Sequence, residues 1–437
     1  MKRLSFLILL PIWVLLGCGD DDLILTPLAC EGGANFAVDF RPTLFAENNR
    51  LWLTDLEQKM ETGQSASIDR TTLSFINFPE ACESTYNFYY GYTRDLVTNS
   101  DFLEVRVDEV AEVPSGSIID IGSRTSGFYE FEAVGAEEEI RIEGCPPIDS
   151  VRFLTPVTTE VNPLLIPFFD YEYHPEDSLL LIATELTLTN SFDFLLAIRG
   201  DEDGDWAGQV INIEQPLPTV INYADLTPLS LPHTQVNWPT NAEDLALEVR
   251  VITNAQSQRT MLLGRLNDRT ALSFPQPMVS LGPIWVRAHW EADDLDYVWS
   301  RVFEELPDEI SIGSPIDIQS FDFTYPEIRL NTFGAEIITF SGWYLRPAEE
   351  SSRRAYYGPL AEGEQSIRLG ALFSGLSTPE TERLFELGLS EQRSCRLFHY
   401  HNMDGNYRWY LRNVLSDRAT GTTWLQTLDY DQVWFPF

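Results

Sequence analysis

Alternation of apolar and polar side chains constrains this chain more than any other feature. Leu103, Val105 and Val107 alternate with Glu104, Arg106 and Asp108, and Leu245, Leu247, Val249 and Val251 with Ala246, Glu248 and Arg250. Phe192, Phe194, Leu196 and Ile198 stand two apart, and Ile140 and Ile142 are interleaved with Arg141 and Glu143. Successive side chains of a β-strand point to opposite faces, so a period of two describes strands with one buried face. Many such runs, short and separated by clusters of Pro, Gly, Asn and Asp, predict an all-β chain built as sandwiches. Helical periodicity is scarce. Ser377-Thr378-Pro379-Glu380 is a capping signal with an early proline, and Leu384, Phe385 and Leu387 follow it. This predicts one short helix near 378–389, set between strands.

A repeat underlies the strands. Val38-Asp39-Phe40-Arg41-Pro42, Val151-Arg152-Phe153 before Pro156, Val236-Asn237-Trp238-Pro239, and Phe321-Asp322-Phe323 before Pro326 share one form. Each reads as a first strand ended by a proline that cannot donate to a central ladder. The division this predicts is a leader at 1–17, an acidic tether at 18–32, and sandwiches at 33–145, 146–230, 231–317 and 318–437. The units are expected to close on strand, polar turn, strand. Examples are the stretch from Gly127 through Ile140-Arg141-Ile142, and Arg396–Tyr400 followed by Asn402–Asn406 and Tyr407-Arg408-Trp409. In the third unit, V-N-W-P at 236–239, L-E-V-R-V at 247–251, I-W-V-R-A at 284–288 and Y-V-W-S at 297–300 resemble a fibronectin type III or related immunoglobulin-like module. The resemblance implies a tandem array of about four immunoglobulin-like sandwiches. Such modules serve as spacers, adhesins, glycan binders and enzyme appendages alike, so the fold alone names no function.

The N-terminus supplies an address. Lys2 and Arg3 precede the apolar run Leu4–Leu16, which falls short of the ~20 residues that span a bilayer and fits a secretory signal. It ends in Leu15-Leu16-Gly17-Cys18, which resembles the lipobox of bacterial lipoproteins. That resemblance implies that the Cys18 thiol receives a diacylglyceryl group, and that acyl chains such as palmitate anchor the mature protein in the outer membrane. Gly19-Asp20-Asp21-Asp22 resembles the surface-export signal of Bacteroidetes-type lipoproteins, with a solvated tether as the alternative. Either way the mature chain works outside the cytoplasm, and the first reading puts it on the cell surface. With 67 Asp plus Glu against 29 Lys plus Arg, the net charge of −38 repels nucleic acids and anionic lipid faces, so no nucleic-acid partner is expected. An exported chain can oxidise its remaining cysteines, Cys30, Cys82, Cys145 and Cys395. Two arrangements are open: an early Cys30–Cys82 bridge with two free thiols, or Cys395 folding back onto the N-terminal region.

Three stretches invite a chemical reading. Arg199-Gly200-Asp201-Glu202-Asp203-Gly204-Asp205-Trp206 is first a hairpin turn, because Gly204 accepts a positive φ without a side-chain clash. Asp201, Asp203 and Asp205 also supply oxygens at alternate positions, which makes calcium the alternative ligand, although the spacing is not that of an EF-hand. Arg199-Gly200-Asp201 resembles the integrin-binding tripeptide, a match common by chance. His399 and His401, two apart and followed by Asp404, could converge on zinc; a strand that happens to carry two histidines explains them as well. Among the tryptophans, Trp290 beside Asp293 and Asp294 is expected to stand exposed, where a sugar could stack on it. No nucleophile elbow, zinc-protease helix, P-loop or dinucleotide fingerprint occurs, and no carboxylate pair stands out. The chain therefore reads as a non-enzymatic surface lipoprotein that docks a protein or glycan partner for adhesion or assembly. The alternative is a glycan-binding lipoprotein, because a lipid-anchored sandwich array resembles the glycan-capturing surface lipoproteins of polysaccharide-uptake systems.

Overall fold

The computed structural model describes residues 34–41, 47–54, 74–78, 85–95, 103–114, 117–122, 135–154, 169–187, 193–200, 205–212, 219–231, 233–256, 258–267, 271–273, 276–277, 282–324, 327–346, 350–369, 379–403, 405–415, 419 and 421–436. The leader and tether, Cys18, Cys30, Cys82, Asp201, Asp203, Asp404 and the turns at Pro42, Gly127, Pro156 and Pro326 lie outside the described residues. What is described is mostly strand, as the alternation predicts. The one helix expected is present at Pro379–Glu391. No helix among the described residues is long and apolar enough to cross a membrane.

One pairing pattern occurs three times. Ala34–Arg41 runs parallel to Ile118–Gly122 and antiparallel to Ser74–Phe78. Gly135–Glu143 runs parallel to Val220–Asn222 and antiparallel to Leu179–Thr187. His233–Asn237 runs parallel to Glu309–Ser311 and antiparallel to Ala271–Ser273. Each time an opening strand meets a closing strand side by side. The strand at Ile140 and Ile142, expected to close the first unit, instead opens the second of these groups. Its apolar residues explain the choice: Ile140 and Ile142 pack with Leu180, Ile182, Leu196, Ile198 and Ile211.

The largest sheet has eleven strands. Their spatial order is Arg259–Asn267, Glu243–Asn254, Ile284–Ala292, Leu295–Phe303, Tyr430–Pro436, Gln392–Tyr400, Ile337–Arg346, Glu350–Pro359, Leu103–Pro114, Thr85–Asp95 and Glu47–Thr54. It therefore joins strands from the stretches expected as the third, fourth and first units. Every neighbouring pair is antiparallel except Glu350–Pro359 with Leu103–Pro114. The hairpin at Ile284–Ala292 and Leu295–Phe303 turns on Asp293 and Asp294, at φ of 53° and 62°. Two consecutive positive φ values match the twist of the flanking strands, and aspartate tolerates them better than most residues.

One face of this sheet is buried along much of its width. Val249, Met261, Val286, Ala288 and Trp299 pack with Val236 and Ile310 of a smaller sheet, with Ile312 just beyond it, and with Leu195, Ala197 and Leu229. Further along, Ile338, Phe340, Leu397, Val433 and Phe435 pack with Ile328, Leu330 and Leu369. The strand Asp193–Arg199 is buried on both faces: Leu195 and Ala197 meet the eleven-stranded sheet, and Leu196 and Ile198 meet Ile140 and Ile182. Its continuous apolar run is what such a doubly covered strand requires. On the other face of the large sheet, Ile252 and Trp285 are covered by Ala419 and Trp424 of the helical segment Gly421–Thr427 and its approach.

The one parallel ladder of the large sheet holds a buried ion pair. Arg354 and Glu109 are each 1% exposed, and the Arg354 guanidinium donates to Glu109 Oε2 while the Tyr89 hydroxyl donates to Oε1 at 2.8 Å. Breaking a buried pair by removing one partner leaves an uncompensated charge and costs about 3–5 kcal/mol, whereas exchanging both partners for apolar groups is close to neutral. Arg354→Met is therefore expected to lower the unfolding midpoint strongly, and Arg354→Met with Glu109→Leu to recover most of the loss, as read by denaturant titration. Equal midpoints for the single and double variants would contradict this account.

Candidate functional site

The described polar side chains converge most densely where Tyr430–Pro436 enters the large sheet. This strand is flanked by Leu295–Phe303 and Gln392–Tyr400, which pair Asp431 with Trp299 on one side and with His399 on the other. Paired residues share a face, so Asp431 continues the row of Val433 and Phe435 and points toward the core side. Its side chain is fully buried. Burying a carboxylate is costly without partners, and two are present. Arg301 donates from Nη2 to Asp431 Oδ2 at 2.8 Å, and His401 Nε2 lies 2.7 Å from the same oxygen.

Arg301 ties down the strand further. Its Nη1 donates to the carbonyls of Ser300 and Tyr430 at 2.8 and 3.1 Å, its Nε lies 3.4 Å from Asp429 Oδ1, and its guanidinium stands 4.9 Å from the Trp299 ring centre. Asn402 donates to the other oxygen of Asp429 at 3.3 Å. His399 meets His401 edge-on, with ring centres 4.7 Å apart, and lies 3.7 Å from Glu336. Glu336 in turn accepts from the backbone N–H groups of Tyr400 and Gly405 at 3.3 Å each. The cluster therefore fastens both the entry of the last strand and the turn before it.

The turn at 401–406 departs from expectation. Tyr407-Arg408-Trp409 is not a strand: Tyr407–Tyr410 is a helical turn that continues into Leu411–Leu415. Asn406 explains the change, because its side-chain oxygen accepts from the Trp409 N–H at 3.3 Å and caps the turn. The helical segment carries a tyrosine cluster, with Tyr407 and Tyr410 stacked at 5.8 Å and Tyr400 the same distance from Tyr410. Burial pushes the phenols of Tyr400, Tyr407 and Tyr410 well above their ordinary range, and their mutual proximity adds to it.

The residues singled out from the sequence meet different fates. His399 and His401 do share a site, but each faces its own carboxylate. Among the described residues no group of three or more His, Cys, Asp and Glu is arranged to hold a metal ion. Trp290 is not exposed. It is 2% accessible, stacked on Tyr297 at 5.2 Å and set edge-on to Trp238 at 6.5 Å, because it lies on the core face of its hairpin; no face is open for a sugar. Asp205 is exposed at the foot of Trp206–Asn212. Arg199 and Trp206 are paired across the strands on either side of 201–204, a stretch that itself lies outside the described residues. Arg199 itself is engaged by Asp149 at 2.7 Å and stands 5.5 Å from the Trp206 ring centre. Cys145 and Cys395 are free and buried, and burial pushes the Cys145 thiol up to about 11. Arg301, Asp431 and Glu336 escaped the sequence reading. The available signal was Asp431 itself, a carboxylate two residues from Val433 in an alternating run.

The arrangement is an electrostatic lock between strands of distant origin. Arg301→Met is expected to leave Asp431 buried with less compensation, and hydrogen exchange at the amides of Tyr430–Pro436 should accelerate ahead of the rest of the large sheet. Uniform acceleration across that sheet would argue against a local lock. The tyrosines make a second expectation. A phenol whose folded pKa lies above its unfolded value of ~10 favours the folded state while it is neutral. Stability is then full below about pH 10 and falls as the pH rises further, because the unfolded chain ionises first. Tyrosinate absorbance from these residues should therefore appear together with loss of the β-sheet circular dichroism signal; complete ionisation in a still-folded protein would contradict the assignment. In comparisons with known proteins, the chain matches no protein-family model and no curated protein.

Proposed function

We propose that this chain is a non-catalytic binding protein, lipid-anchored through Cys18 in the outer membrane and displayed at the cell surface for adhesion or assembly. The observation that carries the reading is the N-terminal sequence: a basic start, a short apolar run, Leu15-Leu16-Gly17-Cys18 and three aspartates directly after Gly19. The architecture supports it. A broad sheet with small sheets packed over it offers extended surfaces, and the polar cluster at Asp431 is occupied with its own internal partners. We further propose that four immunoglobulin-like sandwiches make up the mature chain, with their larger sheets fused edge to edge in three of them. The thrice-repeated pairing of an opening strand beside a closing strand supports a division into repeated units.

Growth of the producing cell on an alkyne-bearing fatty acid, followed by capture of the protein, tests the anchor. Label is expected on the wild type and not on Cys18→Ala, and protease added to intact cells should remove the labelled protein. An unlabelled wild type would overturn the reading.

A further inference from the structure

Four neighbouring strands of the large sheet carry an unusual outer face. Opposite their core-facing residues, register places Trp434 beside Arg396 and Arg396 beside Thr339. Four residues along the same strand as Thr339 stands Trp343, paired with Arg353 on the next strand. Both ladders are free of register shifts, so these side chains share one face, with Ser341 between Thr339 and Trp343. Residues alternating with them, among them Phe340, Gly342, Arg354, Leu397 and Val433, are buried. On the outer face, Trp343 is 37% exposed, Arg353 and Arg396 are exposed, and Thr339, Ser341 and Trp434 are half-buried.

The charge on this face runs against the rest of the protein. With 67 acidic residues to 29 basic ones, an arginine without an acidic neighbour is the exception. Among the described residues neither Arg353 nor Arg396 is in an ion pair, while nearby Arg106 is neutralised by Asp108 at 2.8 Å. The nearest acid on the Trp434 side, Asp296, lies 3.2 Å from His289. Arg396 stands 5.6 Å from the ring centre of Trp434, which holds its guanidinium in place. Two exposed guanidinium groups, one of them also hydrogen-bonded to the Tyr357 phenol, and one open indole ring therefore lie on one face, beside a Ser341 hydroxyl that is bonded to Ser394 at 2.8 Å.

We propose that this face binds an acidic polysaccharide. Guanidinium groups match carboxylates with paired hydrogen bonds, an exposed indole accepts the apolar face of a pyranose ring, and the Thr339 hydroxyl suits a sugar hydroxyl. Strands are ~4.8 Å apart and alternate residues ~6.8 Å apart, so Arg396 and Arg353, two strands and four residues apart, are separated by roughly 16 Å. That span suits an extended chain of several sugar units. An acidic peptide fits less well. These strands are internal to the sheet, their ladders are complete, and no edge is open for a peptide to extend.

This inference deepens the proposed surface-binding role by naming its ligand class, and it is tested apart from the anchor. Full-length protein in detergent is run through gels containing polygalacturonate, neutral dextran or poly-glutamate. Retardation by polygalacturonate and not by dextran is expected. Trp343→Ala and Arg353→Gln with Arg396→Gln should each weaken it at least tenfold, with the unfolding midpoint and circular dichroism of the wild type retained. Arg353→Lys with Arg396→Lys, which keeps the charge and loses the fork, should weaken it less than the glutamine pair does. Three results would overturn the proposal: no retardation of the wild type by polygalacturonate, equal retardation by dextran, or retardation by poly-glutamate that Trp343→Ala leaves unchanged. Any of these with fatty-acid labelling at Cys18 intact removes the ligand class and leaves the anchored-protein reading standing.

Discussion

The structure turns on two ladders made between parts of the chain that are remote in sequence. Leu295–Phe303 accepts Tyr430–Pro436 on one side of the fourth stretch, and Glu350–Pro359 accepts Leu103–Pro114 on the other. Without them the large sheet would end in exposed edges, each a row of unpaired backbone groups open to another chain. With them, three sets of strands become one surface and the neighbouring cores lie on the same face of it. Each junction also carries charge where apolar packing would be the ordinary choice: Asp431 with Arg301 and His401 at the first, Glu109 with Arg354 at the second. Such buried pairs add little net stability over apolar residues, but they penalise wrong partners and wrong registers heavily. Register specificity is what a strand needs when many similar strands compete for it.

Much of the fold was visible in the sequence, and the reason is local. Alternation reports which residues face inward, and it does so for strands 103–114, 193–199 and 243–254 alike. The helix at Pro379–Glu391 announces itself through its cap and early proline. What local patterning cannot report is the partner. Nothing near Val105 and Val107 points to residues about 245 positions away, and nothing near Tyr430 points to Arg301. Yet continuing the period from Val105 and Val107 lands on Glu109, and continuing it back from Phe435 and Val433 lands on Asp431. A charge on the apolar side of an alternating strand was the legible trace of both junctions.

Two misreadings share a physical cause. Trp290 was placed outside because acids follow it, but Asp293 and Asp294 belong to the turn, and the facing residue Tyr297 sets the environment of the ring. Tyr407-Arg408-Trp409 looked like a strand because its residues favour one, and a single cap from Asn406 outweighs that preference. In both cases side chains a few positions away decided the outcome. The face that carries Trp343 and Arg353 was missed for the opposite reason: its residues come from four strands, and only the register assembles them.

The remote parallel ladder also orders the assembly of the molecule. Joining segments 245 residues apart carries a loop-closure cost that a local hairpin does not, so this contact is expected to follow the hairpins on either side of it. Until then the Leu103–Pro114 strand has one edge unpaired and open to another chain. Glu104, Arg106 and Asp108 on that strand make the waiting edge charged, which disfavours its capture by a sister chain. Arg106 and Asp108, which neutralise each other at 2.8 Å in the finished sheet, thus serve a second purpose before it is finished, as guards against aggregation.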